Sequence, residues 1–175
     1  MKFLRLLVCS IFIFAFSMII FGQNGDREIA KNFSAVSMDG EKVELSSLKG
    51  KVVVLTFWST RCPNCHSVIP KLNRIVSDYK DRGVVFLALT MENQAKVEGY
   101  LKKTQFNFEI LPNTFDVVLK YADPKNTGFI EMAFPTHFLV NQSGEIELKT
   151  SGFDKTGQLS SGINRLLSSA QARVE

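Results

Sequence analysis

Cysteine is scarce in this chain of 175 residues, and its placement excludes most uses of that residue. Of the three cysteines, Cys9 lies inside an apolar N-terminal stretch and is assigned no role, while Cys62 and Cys65 stand three positions apart. A bond between neighbours on one helical turn closes almost no loop, so the pair cannot staple a small fold and must be kept for reactivity. Charge of one sign is also lacking. The formal net charge is +4, Lys2 and Arg5 supply two of those charges, and no run of lysine or arginine follows. Nucleic acid is therefore not an expected partner. Internal repeats and low-complexity segments are absent as well.

The N-terminus pairs Lys2 and Arg5 with an uncharged stretch from Leu6 to Phe21. Residues 1–22 read as a signal peptide or an N-terminal membrane anchor. The stretch is slightly short of the ~20 residues of a spanning helix, although Phe3 and Leu4 could extend it around a snorkelling Arg5. No small-x-small cleavage site is visible, so both alternatives stand. Either way the remainder is expected outside the cytoplasm, periplasmic or facing the exterior, with membrane contact only through this segment. Residues 23–31 are polar and read as a flexible lead-in, and residues 32–175 as one domain of a size that buries a good core.

The chain is organised around Lys51 to Pro70, KVVVLTFWSTRCPNCHSVIP. Val52 to Phe57 is a continuous apolar and β-branched run, which suits a central strand buried on both faces. After a short polar connection, the apolar positions Val68, Ile69, Leu72, Ile75 and Val76 recur at helical spacing, so a helix begins at Cys62. The first turn of a helix carries unpaired N–H groups and the positive end of the macrodipole, and both favour a thiolate. A free cysteine titrates near ~8.5, and such motifs lower this to about 3.5–7.5. Cys62 is thus the expected nucleophile, and Cys65, one turn on and carried inward, the expected resolving thiol. Pro63 suits the first turn, whereas Pro70 falls inside the helix and is expected to kink it.

Phe33 to Met38 and Lys42 to Leu45, joined through Asp39-Gly40, predict a β-hairpin. Ser46 to Leu48 form a turn. Val84 to Thr90 is a second apolar strand, a parallel neighbour of the first through a right-handed crossover. A helix is expected over Met91 to Thr104, a short strand over Phe106 to Leu111, a short helix over Asn113 to Tyr121 and a loop over Ala122 to Ile130. Phe134-Pro135-Thr136-His137 opens a strand through Val140, Glu145 to Ser151 pairs with it, and Thr156 to Ala170 closes the domain as a helix.

A W-x-x-x-C-x-x-C motif at a strand-to-helix junction, with a proline opening a late strand, resembles the thioredoxin superfamily and, more narrowly, its TlpA/ResA branch. The likeness runs over roughly residues 31 to 170, through LSSLKGK, FWSTRCPNC and FPTHFLVNQSGEI. It implies an α/β fold, a thioredoxin-like three-layer sandwich with a mixed central sheet and an N-terminal β-hairpin extension. Family members are exported, often membrane-tethered thiol-disulfide oxidoreductases, some of which reduce apocytochrome c before haem attachment. The implied partners are exported proteins with disulfides and a membrane or exported electron donor. A monomer is expected, with no cofactor and no resident metal. Cys62 and Cys65 map onto the redox disulfide and Pro135 onto the family's cis proline; Phe134 and Thr136 beside it are expected to contact substrate, and Trp58, which could simply be core, is expected from its place next to Cys62 to form part of the contact surface. One departure concerns the proton. Thioredoxins proper hold a buried aspartate two positions before the tryptophan, where this chain has Thr56, and the branch's glutamate after the next strand maps near Glu92.

Other readings compete. CPNCH matches the haem-attachment pattern, with His66 as would-be axial ligand. Against it, the motif lies between a buried strand and an amphipathic helix rather than in a wide apolar pocket, and His66 is expected on an exposed helix face. Cys62, Cys65, His66 and His137 together would suit copper or zinc. A peroxiredoxin-like peroxidase would use Thr60 and Arg61. That family, however, places its threonine three before the reactive cysteine, where this chain has Ser59, and a proline further upstream, where Val54 to Trp58 has none.

Overall fold

The computed structural model describes residues 27–124 and 130–172; the leader of residues 1–22 lies outside them. The strands β1 (Ser34–Val36) and β2 (Lys42–Glu44) pair antiparallel. Gly40, at φ 84°, takes the left-handed conformation that their connection requires. A 3-10 turn over Leu45–Leu48 leads to β3 (Val52–Phe57), every residue of which is buried. Then come α1 (Pro63–Asp78), β4 (Val84–Leu89), α2 (Gln94–Leu101), β5 (Glu109–Leu111) and α3 (Phe115–Tyr121). The short pair β6 (Asp123–Pro124) and β7 (Ile130–Glu131), the strands β8 (Thr136–Val140) and β9 (Ile146–Ser151), and α4 (Thr156–Gln171) complete the chain.

The main sheet has the order β5-β4-β3-β8-β9, with β3 parallel to β4 and antiparallel to β8. Its central strand is the apolar run that the sequence marked. Alternation along β3 divides the core. Val53, Leu55 and Phe57 meet Phe33, Leu45 and the α3 residues Val117, Val118 and Tyr121 on one side. Val52 and Val54 meet Val68 and Leu72 of α1 and Leu159 and Ile163 of α4 on the other. This is a thioredoxin-like three-layer sandwich with a mixed sheet and an N-terminal hairpin.

The structure corrects several expectations. The second helix is shorter than residues 91–104, because the Asn93 side chain accepts the Lys96 N–H and so sets its start. The ends of the expected loop at Ala122 to Ile130 pair as β6 and β7. The described end of the lead-in is docked rather than free: Ile29 bridges Glu145, and the buried Ala30 donates its N–H to the Gly144 carbonyl. Pro70 falls inside α1, as expected, and sits on its exposed side.

The two glycines of α4 give a test of packing. A Cβ at Gly162 would come 2.6 Å from Cδ2 of Leu139, which is fully buried, whereas one at Gly157 meets open space. Overpacking costs about 1–3 kcal/mol, and replacing a helical glycine by alanine returns up to about 1 kcal/mol. Urea unfolding should therefore show Gly162→Ala less stable by about 1 kcal/mol and Gly157→Ala slightly more stable.

Candidate active site

β3 ends at Phe57, and the next residue, Trp58, donates its N–H to the Leu89 carbonyl at 3.1 Å. The connection Ser59-Thr60-Arg61 then delivers Cys62 to the N-cap of α1 in extended backbone geometry, with φ −92° and ψ 109°. The Cys62 sulfur accepts the Cys65 N–H at 3.1 Å, so it occupies the place of a capping side-chain oxygen. A thiolate in that position accepts from the Cys65 N–H, which it shares with the Cys62 carbonyl oxygen at 3.1 Å, and faces the positive end of the helix dipole. Pro63 follows at the first helical position, where a missing N–H costs nothing. Cys62 and Cys65 are disulfide-paired, with Cα atoms 5.2 Å apart. They are not equivalent: Cys62 is half-buried, while Cys65 is 1% exposed and packed among Trp58, Ile69 and Ala88.

The polar connection is held from two sides. The Glu92 carboxylate accepts the Thr60 N–H at 2.8 Å, the Thr60 hydroxyl at 2.7 Å and the Ser59 hydroxyl at 3.2 Å, and it pairs with Lys96 at 2.8 Å. Burial alone would raise its pKa, but the bonds from Lys96 and Thr60 outweigh that and bring it down to about 2. Nε2 of His66 lies 2.9 Å from the Thr60 carbonyl oxygen, closing the loop back onto α1.

Across from the dithiol, the Phe134-Pro135 peptide is cis, and the Phe134 carbonyl oxygen lies 3.3 Å from the Cys62 sulfur. Phe134 is half-buried. Two residues expected on the substrate-contacting surface are placed elsewhere. Trp58 is 1% exposed beneath Tyr100 and Phe106, with ring centroids 5.4 and 4.8 Å away, because α2 and the segment before β5 close over it. Thr136 is equally buried and donates its hydroxyl to the Ala133 carbonyl.

The four-residue metal set is not assembled. His66 is engaged with Thr60, His137 is buried on β8, and among the described residues no three histidine, cysteine or carboxylate side chains form a metal-sized group. Of the residues in the peroxidase reading, Thr60 gives its hydroxyl to Glu92, as does Ser59, and Arg61 is exposed.

Sequence reading missed one buried contact. Nδ1 of His137 lies 3.0 Å from Oγ1 of Thr56, its direct partner across β3 and β8. Burial pushes His137 down to about 4, opposed by the charge of Asp154. The signal was there to be read: Thr56 is the one polar residue of β3, and His137 is a polar residue in a strand that continues as Phe138, Leu139 and Val140.

The model of the AhpC/TSA family matches residues 27–149, which span the dithiol, the Glu92 loop and the cis proline. The chain belongs to this family. Among curated relatives, the thiol-disulfide oxidoreductase ResA of Bacillus cereus is 31% identical over 138 residues, covering 78% of this chain and 76% of the relative. ResA of Bacillus subtilis is 29% identical over 152 residues, covering 85% and 81%. A solved structure of a putative thiol:disulfide interchange protein DsbE from Chlorobium tepidum superposes with a TM-score of 0.70 at 24% identity, over 82% of this chain and 98% of the other, which shows the shared fold. A putative protein disulfide isomerase from Bacteroides thetaiotaomicron gives 0.70 at 26% identity, over 81% and 89%. This AhpC/TSA family member is a thiol-disulfide oxidoreductase with a thioredoxin-like fold.

Because the folded pKa of Glu92 lies below its ordinary 4.5, its stabilising contribution is complete above about pH 4.5 and is lost as pH falls toward 2. Glu92→Gln should be less stable than the parent by about 2 kcal/mol at pH 7 and show a shallower loss of stability across that window in urea titrations.

Proposed function

We propose that this protein is an extracytoplasmic oxidoreductase in which Cys62 attacks, Cys65 resolves, and the net reaction reduces disulfides in exported proteins, apocytochrome c among them. The observation that carries the reading is the inequality of the two sulfurs: one caps α1 at a half-open surface, the other is 1% exposed beneath it. The Cys62 thiolate attacks one sulfur of a substrate disulfide. That bond breaks, a mixed disulfide forms and the first substrate thiol leaves with a proton. Cys65 then loses its proton and attacks Cys62, forming the internal disulfide and releasing the second substrate thiol. Two electrons from a membrane or exported donor restore the dithiol.

The apolar leader supports a location outside the cytoplasm, where such a donor would act. Phe134 and Pro135 offer the substrate backbone an edge beside Cys62. Glu92 acts here as a positioning residue, not as the proton acceptor: a carboxylate held at about 2, with its oxygens engaged by Thr60, Ser59 and Lys96, is poorly suited to take a thiol proton.

Trapping separates the roles. Cys65→Ser, incubated with a disulfide-containing protein, should accumulate a mixed disulfide visible on a non-reducing gel, and Cys62→Ser almost none. Equal trapping by the two variants would sink the assignment of nucleophile and resolving thiol.

A further inference from the structure

The buried face beneath Cys65 carries a polar row. Thr56 lies between Val54, which packs against α1, and Trp58, which packs against Cys65, so strand alternation puts it on the α1 face of the sheet. Its register partners are Ala88 on β4, a neighbour of Cys65 in the core, and His137 on β8, whose own partner on β9 is Thr150. Thr56, His137 and Thr150 are all buried, at 3%, 2% and 7% exposure. Thr56 and His137 bond to each other, while the Thr150 hydroxyl has no partner. A buried imidazole and two hydroxyls in one row between apolar neighbours are costly to keep there for packing alone.

We infer that Thr56 and His137 form the relay that takes the proton from Cys65 when it resolves the mixed disulfide, an inference that rests on the roles proposed above for the two cysteines. The Cys65 S–H proton passes to the Thr56 oxygen as the Thr56 hydroxyl proton passes to Nδ1 of His137. The freed electron pair on Cys65 attacks the Cys62 sulfur, the Cys62–substrate bond breaks, and the substrate sulfur leaves with that bond's electrons. His137 ends as imidazolium and later releases its proton to solvent. The neutral histidine must therefore carry its hydrogen on Nε2, leaving Nδ1 to accept from Thr56.

The surroundings suit a transient charge. Burial opposes a lone imidazolium, but the Asp154 carboxylate, from the segment between β9 and α4, favours it, and so does the thiolate that forms at Cys65. Asp154 is itself held by Lys71 of α1 and by Thr156. On β9, Thr150, the register partner of His137, has a buried hydroxyl with no hydrogen-bond partner.

The test uses the reduced protein and oxidised glutathione, with rapid acid quenching and mass spectrometry to follow the Cys62–glutathione mixed disulfide. In Thr56→Val, which keeps the shape, and in His137→Gln, the mixed disulfide should form at the parental rate but resolve about tenfold more slowly or worse. Its resolution should gain about tenfold per pH unit between roughly pH 6 and 8, as bulk hydroxide replaces the relay, while the parent is flatter. Thr56→Ser should restore parental behaviour. Resolution by Thr56→Val at the parental rate and pH dependence would overturn the relay while leaving the roles of the cysteines intact, whereas no mixed disulfide at Cys62 in any variant would overturn those roles instead. In the unmodified reduced protein, ¹⁵N NMR of the imidazole should show the Nε2–H tautomer. A hydrogen on Nδ1 would rule the relay out without any substitution.

Discussion

A strand buried on both faces has no freedom left to give. β3 exchanges backbone hydrogen bonds with β4 on one side and β8 on the other, and its alternate side chains are enclosed by separate clusters. A shift of one residue would exchange those clusters, so the register is strongly determined. The chain leaves this strand with only Trp58 to Arg61 before Cys62. That short span is fixed at its start by the Leu89 carbonyl and in its middle by Glu92 and His66. The position of the Cys62 sulfur is inherited from the sheet through this short connection. The same inheritance makes two chemically identical residues different, since one turn of α1 separates a sulfur at the cap from a sulfur in the core.

Local pattern made much of this visible in advance. The unbroken apolar run at Val52 to Phe57, the turn at Asp39-Gly40 and the helical spacing after Cys62 each express one short-range physical rule. The elements they predicted are present to within a few residues. The contacts that tune the site were harder to see because they join distant positions. Glu92 meets Thr60 across 32 residues, and His137 meets Thr56 across 81. No periodicity carries that information; only the sheet order does. The burial of Trp58 is of the same kind. Adjacency to a reactive cysteine in sequence says nothing about whether α2 and Phe106 will cover the ring.

The second helix and the polar stretch after α3 show the limit of reading boundaries from composition. Met91 and Glu92 look compatible with a helix, but Glu92 is drawn to the loop before Cys62, and Asn93 caps the helix that follows. Tertiary demand on one carboxylate thus outweighs the helical preference of its neighbourhood.

The docked residues at the start of the described chain also cover part of a sheet edge. β9 is an edge of the main sheet, and an unpaired edge is a template on which a second molecule can add a strand. The segment from Glu28 to Ala30 occupies part of that template: Ile146 donates its N–H to the Glu28 carbonyl, Ala30 donates to Gly144, and Arg27 lies 3.0 Å from Glu147. Farther along β9, Lys149 pairs with Asp123 and lies over the Phe138 ring on the face of the sheet. The few residues from Arg27 to Ala30 thus take up backbone groups at a sheet edge on which a second molecule could otherwise add a strand.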